Sequence, residues 1–406
     1  MTAADCDILI AGGGLVGLSL ALALSGSGMR VAVVDRVPMT LGSRGPDERH
    51  LALSEVTCRV LDSLGVLAAL GSDAEPIRAI HVSSAGEFGA ARWAASELGR
   101  SRFGVVVPAR RLLQGMQQAV QARSDLRVLA PATVVDARVD AGGVVAQVVS
   151  DGAQAELVSA RLLVIADGVD SALRSAAGIG AERHDYQRSA ICCALSPERD
   201  HQGTAFERFT RSGPVALLPQ AFGRCGAIMV VENEQLAGLM ELGDADYLLQ
   251  LQSAFGYRLG RLRRIGERVS YPLRRMLAQR LTAPRQVLIG NAAQAVHPVG
   301  AQGFNLGLRD AATLAACLLD THRGGGDPGA PALLDAYAAS RASDRSATTG
   351  LSHALAQVTS LKLAPAAWLR SLSLLAADRI EPLREHLMLG GMGYRGATPA
   401  LARGRQ

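Results

Sequence analysis

Three clusters in this chain have the residue types and spacing to hold an electron-rich ligand. The first is Gly12-Gly13-Gly14-Leu15-Val16-Gly17, a G-x-G-x-x-G run, with Asp35 eighteen residues after its last glycine. In such a run Gly12 permits a tight turn, Gly14 lets a pyrophosphate approach the backbone, and Gly17 lets helix and strand pack closely. Asp35 is placed to accept from a ribose hydroxyl. The second cluster is Asp167-Gly168, followed by Asp170, Ser171 and Arg174; taken alone it reads equally as a routine turn. The third is VLIGNAAQAVHPVGAQGFNLGLRD, Val287 to Asp310, in which Pro298, Gly300 and Gly303 form a loop between an apolar run and a helical pattern beginning at Phe304 to Asn305. A strand, a glycine loop and a helix start together aim unpaired backbone N–H groups at a ligand.

Each cluster needs a particular frame. Asp7 to Ala11 is a buried strand, Leu18 to Leu24 a helix and Arg30 to Val34 a second strand, so the first glycines sit inside a βαβ unit. Ala160 to Ala166 is another buried strand, which puts Asp167-Gly168 at a carboxyl end, where ligands of open α/β sheets bind. The third cluster repeats the geometry of the first about 270 residues later and reads as the second half of one site. That late return points to a flavoprotein rather than a simple nicotinamide dehydrogenase. Arg49 is placed to meet the cofactor or the substrate mouth, or equally to cap a surface loop. Of Arg110 and Arg111, at the start of an amphipathic helix through Val120, Arg110 is favoured for bidentate contact with phosphate. From Cys192 to Arg280 the pattern turns to β-rich alternation, interrupted by a helix over Asp246 to Phe255, and this lobe should roof the substrate. Helical patterns follow from Ala332 to about Leu389, and the tail from Gly390 to Gln406 reads as loose.

Composition narrows the field. With 406 residues there is room for two lobes and a large core. The 49% hydrophobic content contains no uninterrupted membrane-length run; Ile8 to Leu24 comes nearest, and its glycines fit a nucleotide fold better. No basic segment precedes it, so a secretory signal is not expected and the chain reads as cytoplasmic. The six cysteines form no CxxC pair and no metal-ligand cluster with histidine. The net charge of +5 rests almost wholly on arginine, Lys362 being the only lysine. The densest basic stretch, Arg258 to Arg275, lacks interleaved aromatics, which argues against nucleic acid. It reads as a solvated strand face, with attraction to an anionic membrane surface as its functional alternative. No Ser-His-Asp or metal-ligand constellation is found.

On the glycine run, Asp167-Gly168 and Gly290 to Asn305, the chain resembles the class A flavin-dependent aromatic monooxygenases, which have the fold of para-hydroxybenzoate hydroxylase. AFERFTRSGPVALLP (Ala205 to Pro219), LQSAFGYRLG (Leu251 to Gly260) and the Gly290 to Asp310 segment resemble the 2-polyprenyl-6-methoxyphenol hydroxylase family of ubiquinone biosynthesis. The usual Gly-Asp…His turn of the class reads Gly290-Asn291…Gln294 here, which resembles that branch. The fold implied is α/β: a Rossmann-like FAD-binding domain (1–75, 101–177 and 281–330), an inserted mixed β-sheet substrate domain (76–100 and 178–280) and a C-terminal helical region (331–406).

The resemblance further implies non-covalent FAD reduced by NAD(P)H, oxygen addition at the flavin C4a position, and transfer of hydroxyl from that hydroperoxide to an electron-rich ring carbon. The cofactor carries the difficult chemistry, and the protein supplies positioning and water exclusion. It assigns Pro298, Gly300 and Gln302 to the catalytic loop. It assigns cofactor contacts to Gly12, Gly14, Leu15, Val16, Gly17, Asp35, Arg36, Arg49, Arg110, Asp167, Gly168, Asn291, Gly303, Phe304 and Asn305. His297 is expected to pack or hydrogen-bond locally, and no general base is assigned. The implied partners are a polyprenyl phenol and O2, with peripheral contact at the inner membrane or with other ubiquinone-biosynthesis proteins, and a homo-oligomer is compatible. Helices from Leu351 to Leu389, with Trp368, Leu369 and Leu372, offer either that contact or internal packing. The rivals are the related C5 and C6 hydroxylases, a prenyl reductase, a non-catalytic flavin-binding scaffold, and a flavin halogenase. The halogenase would need an active-site lysine that Lys362 is poorly placed to provide.

Overall fold

A computed structural model describes residues 4–40, 47–140, 142–150, 154–360, 364–394 and 399–403, with side chains of 358–367 left undescribed. Lys362 and part of the tail from Gly390 therefore lie outside the described residues.

The first sheet is built on four parallel pairings. Cys6–Ala11 lies between Glu156–Ile165 and Val31–Val34; Val31–Val34 continues to Leu126–Leu129, and Glu156–Ile165 to Gln286–Leu288. Ile10 is opposite both Val164 and Val33. These strands are near-continuous apolar runs because both of their faces are buried, leaving no solvated side to demand alternation. The helices Leu15–Leu24 and Gln302–Arg323 pack together on this sheet. The carboxyl ends of the first, eleventh and nineteenth strands in chain order (Ala11, Ile165, Leu288) therefore lie side by side, each followed by one of the three clusters.

The second sheet has nine strands. Its main path runs Gln294–Ala295, Val269–Ala278, Ala181–Pro197, Arg224–Glu232, Pro214–Gln220, Thr204–Phe209, Ala79–Ser84, Ala90–Ala94. Here alternation is pronounced, because the two faces meet different surroundings. Ile191, Cys193 and Leu195 point outward into a core with Tyr247, Leu251 and Phe255. Ala190 and Cys192 point the other way, with Val230 and Leu273. Two helices cover the outer face, Asn233–Glu241 and Asp244–Phe255. Only the latter stands out in the sequence, since the former is short and has no fully buried residue to impose a period. A small sheet of His50–Ser54, Gly104–Pro108 and Glu75–Ile77 bridges the lobes.

At the C-terminal end, helices Pro331–Ser360, Ala364–Arg379 and Glu381–Gly391 wrap both sheets. The second lies on the inner side of the roof: Trp93 Nε1 donates to Ala377 O at 3.1 Å, and the Arg92 N–H donates to Asp378 Oδ1 at 2.8 Å.

Candidate flavin and substrate site

The glycine run shows why its side chains are missing. Gly12 sits at φ +117°, and a Cβ there would lie 2.3 Å from Ala166 O; one on Gly17 would lie 1.9 Å from Gly12 O. Gly14 is different, since its added Cβ would meet nothing within 4 Å. The chain thus leaves a cradle at the start of the Leu15–Leu24 helix, whose N-terminus has no side-chain cap. Asp35 is buried at the end of the neighbouring strand and accepts from the Val37 N–H at 2.8 Å, while Arg36 beside it is exposed.

At the second cluster, Gly168 takes φ +106° and also faces open space. Burial pushes the Asp167 carboxyl above its ordinary value, against the lowering effect of its hydrogen bond with Ser171. Ser171 caps the short helix Ala172–Ala176 by accepting from the Arg174 N–H at 2.9 Å. The buried Arg174 donates from Nη1 to Val169 O at 3.0 Å and Ala292 O at 3.1 Å, tying this turn to the third cluster.

The first and third clusters meet at Val16. A Cβ on Gly290 would come 3.1 Å from its methyls, and one on Gly307 within 2.9 Å, so Val16 is seated between two glycines of the late segment. Its side chain is spent on that packing. Downstream, Gly300 (φ +72°) and Ala301 (φ +51°) both adopt left-handed backbone, a strain an alanine accepts only where the surroundings enforce it. The long helix then starts at Gln302, two residues before the sequence suggests, and no side chain caps it. The N–H groups of Gln302, Gly303 and Phe304 have no carbonyl one turn back and are available to an electron-rich edge. Gln302 donates to Gly300 O at 2.9 Å. The side chain of Asn305 is fully employed elsewhere: it accepts from the Ser54 N–H at 2.9 Å and donates to Ala52 O at 2.9 Å and Ala301 O at 2.7 Å. It anchors the loop to the bridging sheet. Pro298 opens the turn, partly buried, and Asn291 is exposed.

Behind the loop lies a buried ionic network. Asp310 accepts from the Gly290 N–H, from Gln294 Nε2 at 2.6 Å and from Arg341 Nε at 2.7 Å. Arg341 also reaches Asp344 at 2.8 Å, and Asp344 holds Arg309 at 2.7 Å. Arg345 donates to Gln294 Oε1 and to the carbonyls of Ala278 and Ala293. Gln294, the departure from the usual histidine, therefore serves this network, and its two-sided amide suits a place between a carboxylate and a guanidinium.

Toward the roof, Arg49 pairs with Asp47 at 2.7 Å and lies 5.4 Å over the Tyr271 ring. Arg110 reaches Glu48 at 3.0 Å, and Arg111 turns to Asp73 at 2.7 Å. Tyr186 packs edge-on against His297 at 4.9 Å and shares a 3.0 Å hydrogen bond with His353 Nδ1. His297 is locally employed: Nδ1 accepts from the Val299 N–H at 3.2 Å, and burial brings its pKa down to about 4. Beside them the inner roof carries an apolar cluster of Ala190, Cys192, Ile228, Val230 and Leu273. Tyr186 and His353 join residues far apart in sequence and carry no motif, so nothing in the sequence marks them. Among the described residues no His/Cys/Asp/Glu group fits a metal ion.

Open backbone at Gly14 and Gly168, a buried acid at the adjacent strand end, and two uncapped helix starts beyond the strands on either side of Glu156–Ile165 fit a long dinucleotide running from the first cluster to the third. The two-lobed fold is shared with p-nitrophenol 4-monooxygenase PnpA from Pseudomonas putida DLL-E4, which superposes with a TM-score of 0.79 over 98% of each chain, at 17% identity. Residues 5–349 match the FAD binding domain family. Ubiquinone hydroxylase UbiL of Rhodospirillum rubrum is 38% identical over 95% of this chain and 89% of its own. The 3-demethoxyubiquinol 3-hydroxylase of Escherichia coli is 28% identical over 97% of this chain and 100% of its own. This chain belongs to the FAD-dependent ubiquinone hydroxylase family within the FAD-binding-domain proteins. It is a monooxygenase with FAD as cofactor and NAD(P)H as co-substrate.

Proposed function

We propose that this protein hydroxylates the ring of a polyprenylated phenol, 2-polyprenyl-6-methoxyphenol, on the route to ubiquinone. The observation that carries the reading is the inner roof: an apolar wall of Ala190, Cys192, Ile228 and Val230, edged by Tyr186 and Tyr271, set over the glycine loop. Such a wall suits a ring bearing a hydrocarbon tail, and the relatives are named for ubiquinone and demethoxyubiquinol chemistry. Gln294 points into the ionic network, so the choice of ring position rests on the family likeness and not on that residue.

In this reading the bound FAD supplies reducing equivalents and activates dioxygen. Gly12, Gly14 and Gly17 with the first helix hold the pyrophosphate, and Asp35 and Arg36 the adenosine end. Arg49, Arg110, Asp167, Gly168 and Asn291 complete the cofactor's surroundings. The backbone N–H groups of Gln302, Gly303 and Phe304, beyond Gly300, meet the flavin ring, and a helix start of this kind stabilises a neighbouring anion by about 0.3–1 kcal/mol, up to ~2 when partly buried. Leu15, Val16 and Asn305 act by holding these segments in place. Pro298 and Gln302 shape the loop, and closure of the two lobes excludes water. The domain limits follow: 1–75, 101–177 and 281–330 around the cofactor, 76–100 and 178–280 over the substrate.

The tail sets a second demand. Moving one isoprene unit from lipid to water costs roughly 3–4 kcal/mol at about 0.8 per carbon, so the enzyme meets its substrate at a membrane or receives it from a partner. No described helix is long and apolar enough to cross a membrane. The surface offered instead is Phe88, Trp368, Leu369 and Leu372, all more than half exposed. Profiling quinone intermediates in cells lacking the protein tests the reading: 2-polyprenyl-6-methoxyphenol should accumulate. Accumulation of a later methoxylated quinol would move the reaction to another ring carbon.

A further inference from the structure

The register of the roof strands places a carboxylate in the apolar middle of the inner face. Glu207 is opposite Ala216, Ala216 opposite Ile228, and Ile228 opposite Cys192, while Val82 flanks Glu207 on its other side. Directly opposed residues share a face, so Glu207 stands in one row with Ile228 and Cys192. Its neighbour Phe206 belongs to the outer core. Val82, Glu207, Ala216 and Ile228 are all partly accessible, although each lies mid-strand in a nine-stranded sheet. On the same face, two residues further along their strands, Leu218 and Val230 are buried. A hollow therefore reaches this row. Ile228 shares an apolar cluster with Ala52, whose carbonyl is held by Asn305 at the start of the glycine-loop helix.

We propose that Glu207 is a catalytic residue, the base that takes the proton from the substrate's ring hydroxyl; this rests on the phenol reading above. The carboxylate oxygen binds that proton, the O–H bond breaks, and its electron pair stays on the ring oxygen. Electron density rises at the ring carbons ortho and para to it, which an electrophilic hydroxylation requires. The proton remains on Glu207 until solvent removes it through the hollow. Burial pushes this carboxyl up to about 7. That brings the acceptor to about three units below a phenol near ~10, where an ordinary carboxylate would be nearly six below. The groups packed around it are accounted for. Arg208 and His81 point to the outer side, against Gly256 and Phe206. Across the inner face, His50 lies against Gly226, Asp47 pairs with Arg49, His297 meets Tyr186, and Arg188 is matched by Glu232 directly opposite it. From the covering helix, Arg370 pairs with Glu87 and Asp378 accepts from the Arg92 N–H.

The test uses FAD-loaded enzyme and a short-chain prenylated methoxyphenol, with product identified rather than NAD(P)H loss alone. Wild-type product formation should rise with pH through a limb near 7. Glu207→Gln should keep its FAD and bind the phenol within threefold, judged by perturbation of the flavin spectrum, yet lose 100-fold or more of product rate together with that limb. Glu207→Asp should restore part of both. A wild-type profile flat between pH 6 and 8 overturns the assignment, as does a Gln variant within threefold of wild type at every pH. Absence of product from wild type with any prenylated phenol removes the phenol reading itself, and the step with it.

Discussion

Arg341 donates to Asp310 at 2.7 Å with both side chains out of solvent, at the centre of the contacts that couple the C-terminal helices to the flavin loop. The other oxygen of Asp310 holds the Gly290 N–H and Gln294. Breaking a buried pair by removing one partner strands the other charge, at a cost of about 3–5 kcal/mol. Asp310→Ala should therefore lose roughly that much stability and release FAD. Asp310→Asn, which keeps an acceptor for Gly290, should lose less. Urea unfolding measures both, and a loss under about 1 kcal/mol in the alanine variant would contradict the coupling.

Gly14 and Gly17 should separate cofactor binding from folding. Nothing protein-borne lies within 4 Å of a Cβ at Gly14, whereas one at Gly17 would overlap Gly12 O. Gly14→Val is expected to purify without flavin yet to melt close to flavin-stripped wild type. Gly17→Val is expected to fold poorly whether or not FAD is supplied. Far-UV circular dichroism and flavin absorbance read the two properties independently; a yellow Gly14→Val protein would displace the pyrophosphate from this turn.

These two cases show which features a linear sequence exposes. Gly12, Gly14 and Gly17 are legible because missing side chains at fixed spacing beside an apolar run dictate backbone geometry locally. The roof strands are legible through the β-rich alternation from Cys192 to Arg280, as at Phe206-Glu207-Arg208-Phe209. The Asp310–Arg341 pair is not, because its partners lie 31 residues apart on different helices and look like ordinary helix-surface charges until the helices pack. Asn305 reads from the family likeness as a cofactor contact, yet its three bonds are to backbone that only the tertiary fold brings near. Glu207 stands in a recognisable motif, but which face it occupies depends on register with four other strands. The helix Asn233–Glu241 has too weak a pattern to see.

Acid should destabilise this protein through histidines buried in the neutral form. His50, His81 and His297 are each brought down to about 4, chiefly by burial. Their unfolded value is near 6.5, so between pH 6.5 and 4 the unfolded chain binds protons that the folded one does not. Stability is then full above about 6.5 and falls as pH falls. At pH 5 each group costs about 2 kcal/mol. Glu207, raised to about 7, works oppositely and returns about 2–3 kcal/mol in the same window. The net loss at pH 5 should be about 3–4 kcal/mol, and Glu207→Gln should deepen it. Denaturant midpoints between pH 8 and 5 decide this; a flat profile would mean these histidines are protonated in the folded state.

Membrane contact should be apolar rather than electrostatic. In the basic stretch suggested by the sequence, Arg263, Arg268, Arg274 and Arg275 pair with Glu198, Asp244, Asp185 and Glu182. Those pairs offset four of the seven arginines of the stretch and weaken its attraction for an anionic surface. Trp368 and Leu369 are each 65% exposed, and Trp368 meets Phe88 edge-on at 5.3 Å, so one patch draws on the covering helix and on a roof hairpin. Aromatic side chains of this kind favour the membrane–water boundary. Burying three such residues is worth several kcal/mol at about 1.5–3 each for full burial. Trp368→Ser with Leu369→Ser and Leu372→Ser should weaken binding to neutral phospholipid vesicles at least tenfold, while binding by the intact patch barely changes with salt. The chain has two tryptophans, and Trp93 is partly buried against Ala377. Trp93→Phe therefore leaves Trp368 as a lone reporter, whose emission should shift to the blue when vesicles are added. An unshifted emission, or vesicle binding that disappears in moderate salt, would assign the contact to charge and return this patch to a protein partner.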